Sequence, residues 1–500
     1  VPRTRNTELT IALDPANQLP LYLQIARAIA GDIRRGRLRP GDALPGSRTL
    51  ARSLAVHRNT VIAAYTELVV EGWIATAVAG GTFVATKPPD AARRNRATAP
   101  TCSVPSAHPG YPLGAPLAGD RPPGYRPGLL LLARGLPDVR LLPTIEIARA
   151  YRRVLARSGR ELLTYGDPQG HPRLRAAITA MLAAARGIVT SPDRVLITRG
   201  SQMALDLTAR ALFAPGDTVA VEELGQRATW NVFQLAGATL LPIPVDKDGL
   251  RVDALLAAAE RQPIRAVYVT PHSQFPTTVV LSPERRAALL AFAAERGVAI
   301  IEDDYDHEFR YDGRPLLPLA SHDTAGVVIY IGTLSKILAP GLRIGFVIAP
   351  SAVVDRLTSL RVAGDLQGDL AVECAVADLF ESGELGRHVR RMLRTYRARR
   401  DALAAALRRD LPTAVDFAMP SGGMALWARV RDGIDIDEWS HHALSLGVSF
   451  RGGQPYHFSN DCIPFARLGF SFHDEGELEE AVRRMARALE RVSRRTTLGH

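Results

Sequence analysis

Residues 333–343 read Thr-Leu-Ser-Lys-Ile-Leu-Ala-Pro-Gly-Leu-Arg, and they follow an apolar run, 327–331, with the pattern of a buried strand. Two hydroxyls and a lysine therefore meet at a strand end, with an arginine seven residues beyond the lysine. A lysine so placed can hold an aldehyde cofactor as a Schiff base, its amine tuned by its surroundings. The hydroxyls and the arginine are suited to a phosphate. A loop lysine is ordinarily only a solvated charge, but the composition argues otherwise here. The chain has three lysines, Lys87, Lys247 and Lys336, among 62 basic residues, so arginine has taken nearly every ordinary cationic position. Only an amine condenses with a carbonyl.

A second group of residues fits the same chemistry. The apolar run 298–301 leads into Glu302-Asp303-Asp304-Tyr305-Asp306. An acid at a strand end pairs with a protonated pyridine nitrogen and keeps the ring an electron sink, and a phenol two residues on reaches the ring hydroxyl. Alone, an acidic loop is usually just solvated. With Ser-Lys 33 residues beyond Asp303, the pair resembles the pyridoxal-phosphate site of the fold-type I aminotransferases. The form Asp-Asp-Tyr-Asp, then Ser-Lys, then arginine resembles the MocR branch of the GntR regulators, which joins a winged helix-turn-helix to an aminotransferase-like domain.

The elements that must carry these residues are legible in order. Five hundred residues suit two or three domains. Residues 19–35 place Tyr22, Ile25, Ile29 and Ile33 at helical spacing, with Gly36 as a stop. A short helix follows, with Ser47 as its cap and Leu50 and Leu54 on one face. A third helix begins at Arg58-Asn59-Thr60 and turns Val61, Tyr65, Leu68 and Val69 inward; residues 72–84, with a Gly80-Gly81 turn, then form a hairpin. Three helices and a hairpin describe a winged helix-turn-helix. Arg58, Asn59 and Thr60 then open the helix that enters the major groove, Arg48 suits a phosphate or groove contact, and Gly80 and Gly81 let the wing tip approach the DNA backbone. The alternative, a three-helix protein-interaction module, ranks below DNA binding. Leu-Pro-x-Ser-Arg, Arg-Asn-Thr-Val-x-x-Ala-Tyr and Glu-Gly-Trp occur here in the order seen in GntR-type domains.

From Lys87 to Gly128, ten of 42 residues are proline and hydrophobic periodicity is lost, the mark of a semi-rigid linker. Beyond it, strands and helices alternate, predicting a largely parallel sheet. Strands are expected at 195–198, 218–221, 266–270, 298–301, 327–331 and 343–348, an arginine-rich helix over 386–408, and a final α+β segment holding strands at 424–430 and 465–472. Arg199-Gly200-Ser201-Gln202 turns the first of these strands into a helix whose start can bind phosphate. The expected fold class is α/β: a winged helix-turn-helix over 1–86, the linker over 87–128, and over 129–500 an aminotransferase-like domain with a mainly parallel sheet and a smaller C-terminal α+β subdomain.

The resemblance implies roles for single residues. Lys336 is the Schiff-base lysine, Asp303 pairs with the pyridine nitrogen, and Tyr305 bonds the ring hydroxyl. Ser201, Gln202, Thr333, Ser335 and Arg343 gather round the phosphate. Tyr165, in Tyr-Gly-Asp-Pro-Gln-Gly, matches the loop that crosses a homodimer interface to the partner's phosphate; an interface or core tyrosine is the equal alternative. Arg467 matches the arginine that clamps an effector or substrate carboxylate. Two departures stand out. Gln226 replaces the aromatic residue that commonly stacks on the ring, so stacking comes from elsewhere, with Trp230 a candidate, or is lost. Residues 274–278, Gln-Phe-Pro-Thr-Thr, lack the Asn and Gly of the aminotransferase turn, which counts against efficient transamination more than against cofactor binding.

Residues 1–128 carry 16 Lys+Arg against 8 Asp+Glu, so +8 of the net +11 lies in the front quarter of the chain. That asymmetry predicts a polyanion partner. The cysteines, Cys102, Cys374 and Cys462, have no metal-ligand spacing, and no metal is expected. Reduced thiols and no membrane-length apolar run predict a cytoplasmic protein. The resulting function is a transcriptional regulator that uses pyridoxal 5'-phosphate to sense a small amine, an amino acid or the cofactor itself, and binds double-stranded operator DNA. The competing function is a working aminotransferase with an accessory DNA-binding head. A cofactor-free scaffold is disfavoured by Lys336, Asp303, Tyr305 and Arg343 occurring together.

Overall fold

The computed structural model describes residues 9–14, 16–17, 19–77, 81–89, 109–113, 128–133, 135–313 and 316–498. They fall into two compact units, Val1–Gly114 and Ala115–His500.

The first unit has helices α1 (Leu21–Arg34), α2 (Ser47–Ser53) and α3 (Arg58–Val70), and strands β1 (Ala43–Leu44), β2 (Ile74–Ala77) and β3 (Gly81–Val84). The strands form an antiparallel sheet in the order β1-β3-β2. Ile25, Ile29 and Ile33 of α1 pack against Leu50, Val61, Leu68 and Trp73, which is how the helical spacing of apolar residues becomes a core. Two sequence expectations change, and one strand is added. Val69 is 39 % exposed, because it lies one residue, or about 100°, round the helix from the buried Leu68. Ser47 does not cap α2: Gly46 occupies the N-cap, and the Ser47 hydroxyl accepts from Arg58 Nε at 3.4 Å. The two-residue strand β1 was too short to carry a periodic signal. Gly80 lies outside the described residues; Gly81 has φ +99° and open space where a Cβ would be.

In the second unit, β4 (Leu130–Leu131), α4 (Thr144–Leu162) and α5 (Pro172–Arg186) precede an alternating run. That run is β5 (Val195–Thr198), α6 (Ser201–Leu212), β6 (Thr218–Glu222), α7 (Arg227–Leu235), β7 (Thr239–Ile243), the hairpin β8 (Val245–Asp246) and β9 (Gly249–Leu250), α8 (Val252–Ala259), β10 (Ala266–Val269), α9 (Pro283–Arg296), β11 (Ala299–Asp304), β12 (Val328–Thr333) and β13 (Gly345–Ile348). Seven of these strands form one sheet in the order β5-β13-β12-β11-β10-β6-β7. Only β13 runs antiparallel to its neighbours. Both faces are covered. Along β5, Val195 and Ile197 join Tyr330 and Phe346 in one apolar cluster, while Leu196 joins Ile329, Ile331 and Val347 in another. That is the two-residue alternation of a doubly covered strand.

Helices α10 (Ser351–Gly364), α11 (Leu370–Glu381) and α12 (Glu384–Asp410) lead to the C-terminal part: β14 (Val415–Phe417), β15 (Ala425–Val430), α13 (Ile436–Ser445), β16 (Val448–Ser449), β17 (Arg451–Gly452), β18 (Phe465–Gly469) and α14 (Glu475–Leu498). Here an antiparallel sheet in the order β14-β15-β18-β17 forms the smaller subdomain, and β16 pairs with β4. Among the described residues, no helix is long and apolar enough to cross a membrane.

Candidate cofactor site and nucleic-acid interface

The carboxyl ends of β5, β6, β10, β11 and β12 converge, where an open α/β sheet usually binds its ligand. Strands β11 and β12 are longer than their apolar cores, so Asp303, Asp304 and Thr333 are strand residues rather than loop residues. In-register pairing sets Asp303 opposite Ile331, and strand alternation sends Asp303 and Asp304 to opposite faces.

Asp303 is 5 % exposed. Its Oδ2 accepts from the Tyr268 hydroxyl at 2.9 Å, and its Oδ1 is buried without a hydrogen-bond partner. Burial pushes its carboxyl up to about 7; the Tyr268 hydrogen bond opposes that, Asp304 adds to it, and Lys336 opposes it. Neighbouring Glu222 is likewise raised by burial to about 7, against hydrogen bonds from Thr270. Tyr305 donates to the Ser273 carbonyl at 2.9 Å, and burial raises its phenol above the ordinary range.

Lys336 Nζ donates to the carbonyl of Gly135 at 2.9 Å. A Cβ on Gly135 would lie 3.3 Å from Arg467 Nη2, so one glycine touches both basic groups. Arg467 sits on β18 with its guanidinium 4.7 Å above the Phe275 ring, which meets Tyr305 edge-on at 6.1 Å. Asp306, raised to about 7 by burial with Asp304 adding, is pulled back by Arg467 and Lys336.

On the other side of Lys336, Thr333 Oγ1 donates to Ser335 Oγ at 3.0 Å. Arg343 adopts φ +54° and donates to the Arg199 carbonyl at 2.7 Å. A Cβ on Gly200 (φ +77°) would lie 3.1 Å from the Arg343 guanidinium, so glycine is what lets this arginine reach the N-terminus of α6 at Ser201. Gln202 donates to the Ala228 carbonyl at 3.1 Å.

Two expected residues stand apart. Tyr165 is 80 % exposed, so it is not a core tyrosine of this chain. Trp230 cannot supply the missing ring stack: it is 2 % exposed, edge-on to Phe458 at 5.2 Å, with Arg227 over its ring at 5.6 Å and Gly225 against its edge. No face remains open. The altered turn is held by Gln274, whose amide donates to the Leu224 and Phe275 carbonyls at 2.7 Å and accepts from Thr277. Sequence reading missed Tyr268, Gly135, Glu222 and Phe275. A tyrosine in an otherwise apolar buried strand was the one available signal, since its hydroxyl must find a partner.

In the first unit, Arg48 and Arg58 are both exposed at the starts of α2 and α3, joined through the Arg58–Ser47 contact. His57 accepts from the Asn59 amide at 3.2 Å and caps α3, leaving the Asn59 side chain exposed, with Thr60 half-buried beside it. The Tyr65 hydroxyl donates to the Pro45 carbonyl at 2.6 Å and fixes α3 to the segment before α2.

Residues 21–84 match the bacterial regulatory proteins of the gntR family, and residues 128–485 match the class I and II aminotransferases. The chain is 33 % identical over 483 residues to the probable rhizopine catabolism regulatory protein MocR of Rhizobium meliloti, covering 96 % of each chain. It belongs to the MocR family. As a MocR-family transcriptional regulator with an aminotransferase-like domain, it is also 32 % identical to the pyridoxine biosynthesis regulator PdxR of Corynebacterium glutamicum, over 81 % of this chain and 82 % of that one. Among solved structures, LysN, the α-aminoadipate aminotransferase of Thermus thermophilus in complex with N-(5'-phosphopyridoxyl)-L-leucine, aligns with a TM-score of 0.68 at 31 % identity, over 73 % of this chain and 92 % of that one. The gntR match marks the MocR head as a DNA-binding module, and the aminotransferase match makes the larger unit a member of a pyridoxal-phosphate-binding family.

Proposed function

We propose that this MocR-type regulator binds pyridoxal 5'-phosphate and uses it to sense a small amine or amino acid, or the cofactor itself, so that occupancy changes how the protein acts on operator DNA. The observation that carries the reading is the meeting of Lys336, Asp303, Tyr305 and the Ser201–Arg343 cradle at one end of one sheet. The fit is chemical. The unpartnered Asp303 Oδ1 is the acceptor that a protonated ring nitrogen requires, and the absence of a Cβ at Gly200 lets the Arg343 guanidinium lie beside the start of α6, where an arginine and helix amides suit a phosphate.

Lys336 would hold the aldehyde, Asp303 the ring nitrogen and Tyr305 the ring hydroxyl. Ser201, Gln202, Thr333, Ser335 and Arg343 would line the phosphate, and Tyr165 of one chain would reach the site of a second in a homodimer. When bound, the cofactor supplies an electron-withdrawing ring conjugated to an incoming amine. This chain's residues bind and orient it, and Arg467 offers a fork for an effector carboxylate. Residues 1–86 would be the DNA-binding head, 87–128 the linker and 129–500 the sensing domain, in a cytoplasmic protein.

The test is Lys336→Ala. The variant should bind operator DNA as wild type does but lose the change in that binding when effector is added. Borohydride reduction of wild type with pyridoxal phosphate should place the adduct on Lys336 by peptide mass mapping. Brisk multiple turnover of an amino donor by wild type, with transcription indifferent to Lys336, would instead make the protein an enzyme with an appended head.

A further inference from the structure

The face of β11 opposite Asp303 carries a cluster that the cofactor reading leaves unused. Asp304, His272 and His307 are all buried, at 2, 7 and 5 % exposure. One potential ligand atom from each lies within 4.8 Å of the others. The two imidazole rings lie 4.3 Å apart, centre to centre, and Asp304 Oδ2 is 2.9 Å from His307 Nδ1. From these observations we infer that Asp304, His272 and His307 form a binding site for one divalent transition-metal ion of the zinc class.

Hydrogen-bond accounting separates this cluster from an ordinary buried histidine pair. Both ring nitrogens of His272 are buried without a partner, and so is Asp304 Oδ1. A neutral imidazole has one donor and one acceptor, so a proton alone cannot satisfy this set. A cation can satisfy the lone pairs of all three residues at once. The donor set of two imidazoles and one carboxylate suits Zn²⁺, Co²⁺ or Ni²⁺ and not the hard cations, which prefer all-oxygen cages. Ligands about 2.0–2.1 Å from a tetrahedral ion stand roughly 3.3 Å apart, so the present spread closes with modest side-chain rotation. A cavity of about 10 Å³, enough for one water, borders His272 and Ser273 and can supply a remaining ligand.

The surrounding charges permit a cation. Arg186 lies 3.9 Å from Asp304, but it is bonded to Glu308 and to the Tyr330 hydroxyl, which itself donates to Asp304 Oδ2 at 2.7 Å. Glu302 faces the same neighbourhood, while Arg286 and Arg310 are the opposing cations. Arg286 is spent on the carbonyls of Leu281, Pro271 and Leu317. Outer partners of this kind fix ligand orientation at metal sites. Asp304 sits between Asp303 and Tyr305, so an ion here would stiffen the strand end that the cofactor reading depends on. The site does not rest on that reading, because its test measures metal.

The test uses the full chain, stripped with chelator and titrated with Co²⁺, followed by displacement with Zn²⁺. Wild type should take up one ion per chain, with the visible bands of cobalt bound through nitrogen and oxygen. His272→Ala, His307→Ala and Asp304→Asn should each weaken binding at least tenfold. Circular dichroism separates lost folding from lost ligation, and the wild-type cobalt spectrum stands even if a variant misfolds. The exposed His441 and half-buried His442 supply the control: a His441→Ala/His442→Ala variant should keep the site intact. No uptake by wild type, unchanged affinity in His272→Ala, or uptake abolished by the control variant would each overturn the assignment, leaving ordered water or a surface-bound ion.

Discussion

The Tyr268 hydroxyl donates to Asp303 Oδ2 at 2.9 Å while Oδ1 of the same carboxylate stays free, so the phenol holds one oxygen and presents the other. Burial disfavours the charged form of Asp303 and this hydrogen bond favours it. Tyr268→Phe removes the bond without leaving a hole. Affinity for pyridoxal phosphate should fall about 10- to 150-fold, on the order of 1.5–3 kcal/mol for one hydrogen bond to a charged group. Absorbance titration of cofactor-free protein reads it directly. Unchanged affinity would mean that Asp303 is not the ring's partner.

Lys336, Asp303 and Tyr305 could be singled out because a lysine, an acid and a phenol stand just beyond apolar runs, and strand ends in a parallel sheet converge; Arg343, one of 59 arginines, could be singled out only by its distance from Lys336. Tyr268 and Gly135 were not legible from spacing. Tyr268 lies on a neighbouring strand whose register with β11 appears only once the sheet is assembled. Gly135 acts through its carbonyl, and a backbone group has no sequence signature. Trp230 failed for a related reason: one aromatic looks like another in sequence, but this one is buried, with Arg227 over its ring, Phe458 in edge contact and Gly225 against its edge. The antiparallel direction of β13 was equally hidden, since an apolar run of four residues reads the same in both directions.

Thr278 stands at φ +62°, a left-handed conformation that a β-branched residue rarely adopts. Its amide donates to the Gln274 carbonyl at 2.7 Å, a backbone contact that holds the turn and does not use the threonine side chain. Left-handed backbone costs an L-residue about 1–2 kcal/mol, and glycine returns part of that gain through its larger unfolded-state entropy. Thr278→Gly should therefore stabilise the larger unit by about 1 kcal/mol. Chemical denaturation with a shifted midpoint and an unchanged slope would show it. A loss of stability would mean that the threonine side chain contributes more than the strain it carries.

Arg48 and Arg58 project from two helix starts that Ser47 links. If Arg58 reads a base, Arg58→Ala should cost about 1–3 kcal/mol and relax specificity; if Arg48 holds a phosphate, Arg48→Ala should weaken all sequences alike and reduce the salt slope by about one. Binding isotherms on operator and unrelated DNA across several salt concentrations distinguish the two. Unchanged affinity in both variants would move the contact surface off these helices.

Arg467 is 4 % exposed, lies over Phe275 at 4.7 Å and keeps a buried Nε without a hydrogen-bond partner. A guanidinium held this way is oriented before any ligand arrives, and its planar fork matches a carboxylate through two parallel hydrogen bonds. Arg467→Lys keeps the positive charge but loses the fork and its stacking on Phe275. The effector concentration giving half the transcriptional response should then rise about tenfold for amino acids, which corresponds to about 1.4 kcal/mol. It should hold steady for the matching amine that lacks a carboxylate. Equal losses for both effectors would assign Arg467 to packing beneath the site, since only a carboxylate contact distinguishes the two ligands.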